Sequence, residues 1–290
     1  MTIRRAAFCP GHITAFFEIC DNHTEPLRIG SRGAGLCISL GARSTVSVEE
    51  SSWQEIRIRI DGTETGAPVT RDALAYLLGE RHFRVEVDTA LDLPMEQGFA
   101  MSAAGALSAA LALCDALGID QRKAYEAAHI AEVKNRTGLG DVAGIYAGAM
   151  ELRAEPGLPP FGRVERIDAE AELVLSVLGS PIKTPDVLRD EQKRKAISAA
   201  GRRCVDEFSE HKTLEHLFAL GMEFVEEAGL VSPEVLKGMM VAESHGISSM
   251  IMLGNSIFCT GETEELVKAL RPLGHTYRCE IDHKGPRLLV

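Results

Sequence analysis

The chain has 290 residues, enough for one large domain or two ordinary ones with proper cores. Apolar residues make up 45% and charged residues 25%, the composition of a soluble globular protein. With 31 Lys and Arg against 42 Asp and Glu, the net charge is −11, which leaves no electrostatic footprint for nucleic acid or an anionic membrane surface.

The seven cysteines form no CxxC pair, are odd in number and are spread along the chain. That pattern predicts reduced thiols in a cytoplasmic protein rather than a disulfide framework or zinc site. The apolar stretch after Arg4 and Arg5 is broken by Pro10, Gly11, His12 and Glu18, so no signal-peptide core forms. The longest uncharged stretch, 97–114, is mostly Ala, Gly and Ser, and reads as a buried helix rather than a membrane span.

The first ninety residues read mostly as strands. Residues 44–48 and 55–61 alternate, with Ile56, Ile58 and Ile60 on one face, and 82–88 alternates again. Residues 71–79 form a short helical candidate between them. At Ser102 the period changes: 102–117 is an Ala- and Leu-rich helix with Ser at its start and Gly118 after its end, and 121–134 is a second helix. Residues 153–162, with three prolines and two glycines, are the most linker-like stretch, and a lobe boundary is expected there, dividing 1–155 from 160–290. The second half predicts a strand at 172–178, three helical segments including 213–228, strands near 249–253 and 257–260, a helix near 262–271, and strands near 277–282 and 287–290. Strands, then helices, then a mixed pattern point to an α+β architecture in two lobes.

Three segments carry chemistry. In the first, a strand ending near Thr89 leads through a loop with Pro94 and Gly98 into a helix of small residues at Ser102. The first turn of a helix presents unpaired N–H groups and the positive end of the dipole, and small residues let a phosphate approach the backbone. The same pattern also suits an ordinary capped helix against a sheet. No GxxxxGK[ST] motif occurs, so any nucleotide site here is not a P-loop. In the second, Glu132 precedes Gly138-Leu139-Gly140-Asp141, offering one carboxylate for a reacting hydroxyl and another for a hard cation; the alternative is a glycine-rich turn with a solvated Asp. In the third, His12, Thr14, Ser31 and Arg32 sit among glycines and aromatics, as in a small-molecule pocket, with Arg32 suited to clamping a carboxylate or phosphate. A surface arginine and a core-edge histidine are the bland alternatives. His12 and His23 lack a third ligand at recognisable spacing, which argues against a histidine metal site.

In this order the three segments resemble the GHMP kinase superfamily, and more closely its archaeal pantoate kinase branch. The family's phosphate loop, Pro-x-x-x-Gly-(Leu/Phe)-Gly-(Ser/Met)-Ser-x-Ala, stands here as Pro94-Met95-Glu96-Gln97-Gly98-Phe99-Ala100-Met101-Ser102-Ala103-Ala104. The Pro-Gly-His-Ile-Thr, Gly-Ser-Arg-Gly-Ala-Gly and Gly-Leu-Gly-Asp-Val segments carry the rest of the likeness, which runs over essentially the whole chain. The resemblance implies an N-terminal lobe like the second domain of ribosomal protein S5 and a ferredoxin-like C-terminal lobe, with ATP between them. It implies phosphates on the loop from Gly98 to Ala104, Mg²⁺ on Ser102 and Glu132, and Asp141 as catalytic aspartate. The reaction would be phosphorylation of pantoate, held by His12, Thr14, Ser31 and Arg32, for coenzyme A synthesis. Lys134 and Arg136 are further candidate phosphate contacts, with a solvated basic pair as the alternative.

The chain departs from the pattern twice. Ala100 stands where most members have Gly; with φ > 0 there, Ala would strain the loop by about 1 kcal/mol or more. The glycine-rich C-terminal motif is replaced by 244–256, where Asn255 and Ser256 offer hydrogen bonds or simply form a strand turn. A GHMP kinase acting on mevalonate or homoserine, or a non-catalytic relative that binds nucleotide without turnover, are the competing readings. Retention of Ser102, Glu132 and Asp141 counts against the silent binder. A scaffold role has no feature behind it, and the choice between monomer and homodimer is left open.

Overall fold

The computed structural model describes residues 1–182 and 189–289. Its first sheet is built on a long antiparallel hairpin of β1 (Ile3–Cys20) and β2 (Gly30–Glu50). Strands β3 (Glu55–Ile60) and β4 (Thr63–Glu64), helix α1 (Pro68–Leu78) and strand β5 (Phe83–Leu91) follow. Strand β5 pairs with the second half of β2 and, in parallel, with β3. Helices α2 (Met101–Leu117), α3 (Arg122–Asn135) and α4 (Asp141–Ala147) then lead into β6 (Met150–Glu155) and β7 (Arg163–Ile167).

The second sheet consists of β8 (Glu172–Val177), β9 (Gly246–Met250), β10 (Ser256–Gly261) and β11 (His275–Glu280), in the order β11-β8-β10-β9. Helices α5 (Glu191–Glu210), α6 (Leu214–Ala228) and α7 (Pro233–Ala242) join β8 to β9, and α8 (Thr263–Leu270) joins β10 to β11. One strand, helices, two strands, a helix and a last strand in spatial order 4-1-3-2 form the ferredoxin-like arrangement. The final strand, β12 (Arg287–Leu289), returns to the first sheet beside β1. Val290, expected in that strand, lies outside the described residues.

The expected lobe boundary is corrected in position. The Pro- and Gly-rich stretch after β6 is the connection of the β6–β7 hairpin, so it lies within the first sheet. The chain passes to the second sheet after Ile167, and it returns at β12. Composition marked a turn there because prolines and glycines serve a hairpin connection as readily as a linker.

Strand β1 escaped the alternation test because it is buried on both faces; Ala7 to Phe17 are all buried, giving a continuous run rather than a period of two. The β1–β2 register shifts at Pro10/Gly11, where a proline without an N–H is tolerated. Helix α2 is buried nearly all round, and its alanines let it lie close to β1 and β2.

The two sheets share one core. Helix α5 packs on β1, with Phe208 edge-on to Phe16 at 5.7 Å and Phe224 of α6 the same distance from Phe17. At Gly201 the approach is so close that a Cβ would strike the Phe17 carbonyl. Gly201→Ala therefore forces the helix off the sheet, and we expect a loss of about 1–3 kcal/mol in denaturant unfolding. An unchanged midpoint would mean that α5 is not seated on β1 at this point.

Candidate active site

A cleft of about 580 Å³ lies between the lobes, within the range of small-molecule sites. Its floor comes from Thr14 and Phe17 of β1 and Ser31 of β2, one end from the loop before α2, and its far wall from Met252 and Leu253 between β9 and β10. Ile60, Pro68, Val69, Leu91 and Met95 make an apolar section of wall.

The loop after β5 reaches α2 through three residues of positive φ: Glu96 (59°), Gly98 (83°) and Ala100 (56°). Gly98 has no room for a side chain, since a Cβ would lie 2.7 Å from Ile251 Cγ2. Ala100 is left-handed, so the strain expected from an alanine at this position is present. The loop is tied down on both sides. The Phe99 carbonyl accepts from His12 N at 3.2 Å, and the Gln97 carbonyl accepts from Ser256 Oγ. Asn255 donates instead to the Ser180 carbonyl at 2.7 Å. The segment replacing the C-terminal glycine motif thus braces the loop before α2, and neither Asn255 nor Ser256 lines the cleft. Pro94, Ala103 and Ala104 are also absent from the lining, whereas Gly98, Phe99, Ala100, Met101 and Ser102 belong to it.

Two carboxylates meet beside Ser102. Glu132 lies in the last turn of α3 and Asp141 opens α4; a Cβ on Gly138 would collide with Glu132 Oε2 and lie 2.6 Å from Asp141 Oδ2. Glycine is required there because both acids converge on that spot. Glu132 is 3% exposed, and its Oε1 accepts from Ser102 Oγ and Thr137 Oγ1, each at 2.8 Å. Burial, aided by the negative charge of Asp141, pushes its carboxyl up to about 7 despite those two hydrogen bonds. A buried acid facing a second acid is a site short of positive charge. Hard oxygen donors from Ser102 and Glu132 suit Mg²⁺, which takes few protein ligands beside water and phosphate. Among the described residues, no group of three His, Cys, Asp or Glu is arranged to hold a metal ion.

The remaining candidates divide sharply. Thr14 and Ser31 face the cleft. His12 has no exposed surface and lies beneath Asp141, its Nδ1 3.2 Å from Asp141 Oδ1. Arg32 faces away: its guanidinium donates to Glu18 and Asp206 at 2.8 Å each, and its Nε to the Ala154 carbonyl at 3.1 Å. The reason is strand alternation, which sends Ser31 to one face of β2 and Arg32 to the other, directly opposite Glu18. Lys134 pairs with Asp72 at 3.0 Å on the surface, and Arg136 ends α3 in a left-handed conformation; neither lines the cleft.

Sequence reading missed three charged groups here. Arg189 supplies the positive charge among the described lining residues. Glu151 and Arg153 are both buried behind the site, and Arg153 Nη2 donates to Thr14 Oγ1 at 3.4 Å. The available signal was an acid and an arginine two apart on a strand, hence on one face.

Two outcomes follow. Glu132 binds its proton more tightly folded than unfolded, rising from 4.5 to about 7. The stability it confers is therefore present below about pH 4.5 and lost as pH rises through about 7, a change on the order of 3 kcal/mol. In chelator, the loss of stability on thermal unfolding between pH 5 and pH 8 should be smaller in Glu132→Gln than in the wild type by about that amount, the rest coming from His12. Ala100→Gly should raise the denaturant midpoint by a few tenths to about 1 kcal/mol, by relieving the left-handed alanine; a lowered midpoint would contradict the strain.

Residues 69–149 match the family model for the GHMP kinases N-terminal domain. The chain is 37% identical over 273 residues to a pantoate kinase of Thermococcus kodakarensis, covering 91% of this chain and 89% of that protein. It is 32% identical to a pantoate kinase of Methanospirillum hungatei, covering 99% and 96%. A solved structure described as a phosphotransferase related to the CoA biosynthesis pathway superposes with a TM-score of 0.89 at 33% identity, covering 99% of both chains. With the loop, the paired carboxylates and the two-lobed fold in place, this similarity over nearly the whole length shows that the chain belongs to the pantoate kinase family of GHMP kinases.

Proposed function

We propose that this protein phosphorylates pantoate, transferring the γ-phosphoryl group of ATP to the terminal hydroxyl to give 4-phosphopantoate and ADP for coenzyme A synthesis. The observation that carries the reading is the meeting of Glu132 and Asp141 at Gly138, beside Ser102 and the loop at the start of α2. The full-length likeness to enzymes named pantoate kinase supports pantoate over mevalonate or homoserine as acceptor.

In this reading the loop from Gly98 to Ala104 holds the phosphates with the exposed backbone N–H groups of the first helical turn. Ser102 and Glu132 would hold Mg²⁺, which when bound neutralises phosphate charge and keeps Glu132 ionised. Asp141 orients the acceptor hydroxyl and takes its proton as the new O–P bond forms and the bond to ADP breaks. An alcohol gives its proton up late, so orientation is as much the task of Asp141 as deprotonation. Arg189 faces the same cleft, where a guanidinium stabilises charge on the transferring group. Thr14 and Ser31 offer hydroxyls to pantoate, and Phe17, Leu139, Met252 and Leu253 offer apolar surface for its methyl groups. All seven thiols are unpaired, which supports a reducing compartment such as the cytoplasm as the site of action.

ADP release is measured with ATP, Mg²⁺ and pantoate, pantothenate, mevalonate or homoserine, with Asp141→Asn in parallel. Release should occur with pantoate and fall about 10²–10⁴-fold in the variant. Release with another acid discards pantoate; nucleotide binding without release from any of them points to a silent binder.

A further inference from the structure

Behind Asp141 lies a line of charged groups that phosphoryl transfer, as described, does not use. His12 is wholly buried on β1, with Nδ1 3.2 Å from Asp141 Oδ1 and Nε2 3.0 Å from Glu151 Oε1. Both ring nitrogens therefore face carboxylate oxygens. A neutral imidazole has one N–H and one lone pair, so one of those contacts would set a lone pair against an acceptor. An imidazolium donates at both. Glu151 is ion-paired with Arg153 through the same Oε1. Asp141 and Glu151 then set two carboxylates against Arg153 and a protonated His12. Arg153 Nη1 also stands 3.4 Å from His12 Nε2, the one contact that would suit a neutral ring, and it is longer than the contact with Glu151.

The ring is also fixed in place. A Cβ on Gly144 of α4 would run into His12 Nε2, and one on Gly35 of β2 would lie 2.9 Å from it. Cys37, opposite His12 in the β1–β2 register, is a neutral neighbour, its thiol pushed up by burial and by the charge of Glu151. The Asp141 oxygen held by His12 is Oδ1, whereas Oδ2 faces Gly138 and Glu132.

We propose that His12 is a positioning residue for phosphoryl transfer, a buried cation locked between Glu151 and Asp141 that holds Oδ1 and leaves Oδ2 for the acceptor hydroxyl. The proposal rests on the reading of Asp141 given above. Burial pulls the imidazole toward neutrality, but its hydrogen bonds to Asp141 and Glu151 outweigh burial and hold the pKa above 6.5.

The test combines kinetics with the protonation state of the ring. His12→Gln should lower kcat with pantoate about 10²-fold and leave both KM values within about threefold, because the lost interaction serves the transition state. Added to Asp141→Asn, it should cost no more than about twofold further, because the two residues act as one unit. In histidine-selective ¹⁵N NMR at pH 7.5, with the signal assigned by its loss in His12→Gln, both ring nitrogens should carry protons. Glu151→Gln keeps the shape and removes the charge; it should lower kcat about tenfold and move the His12 nitrogens toward the neutral pattern, and it serves should His12→Gln not fold. A raised KM with unchanged kcat would make His12 a substrate contact, and costs that multiply with Asp141→Asn would make its role structural. Either result, or a neutral ring in the wild type, overturns the proposal. Full turnover in Asp141→Asn would show instead that the reading of Asp141 fails, and the proposal with it.

Discussion

The site depends on holding two like-charged carboxylates against one glycine. Glu132 and Asp141 converge on Gly138, and at such close range neither would normally tolerate the other ionised. The surroundings relieve each differently. Glu132 keeps two hydroxyl donors and a raised affinity for its proton, whereas Asp141 is backed by His12, Glu151 and Arg153. In the proposed mechanism this asymmetry lets one acid serve a cation while the other serves a hydroxyl, although both are carboxylates a few residues apart in the chain. It also accounts for the small residues nearby, since any side chain at Gly138 or Gly144 would displace an acid or the histidine behind it.

The placing of these groups requires the lobes to behave as one body. Strand β1 carries His12, Thr14 and Phe17, and helix α5 of the second lobe is seated on that same strand at Gly201. The loop before α2 is braced from β1 through Phe99 and from β10 through Gln97. Such bracing offers a physical reason why Ala100 is tolerated in a left-handed conformation: neighbouring contacts over-determine the loop, and the cost is small beside them. Gly98 has no such latitude, because the second lobe fills the space its side chain would need.

Much of the fold was legible in the residues. Helices α2 and α3 and strands β3 and β5 follow from period and punctuation, and the expected elements of the second half fall within a few residues of those observed. Strand β1 was not legible as a strand, because burial on both faces removes alternation. The lobe boundary was misplaced because hairpin connections and linkers share a composition. Within the candidate site, the loop before α2 and the Glu132–Asp141 pair were legible from spacing, since each lies at a helix end marked by small residues. Arg32 could not be excluded as a ligand from spacing alone: a glycine-rich segment hides which face of a strand a residue occupies, and only pairing with Glu18 settles it.

The sequence by itself determined the class of the protein: the acidic balance, the unpaired thiols, the order of three motifs and the family they indicate. These are local properties, readable from residue type and spacing. Tertiary structure alone decided which charges face one another. Glu151 and Arg153 lie far along the chain from His12, and their contacts arise only when β6 docks on β2, beside the hairpin that carries His12. Whether an ionisable group binds a ligand, braces the fold or holds another acid in place depends on which neighbours exclude water from it, and those neighbours come from distant parts of the chain.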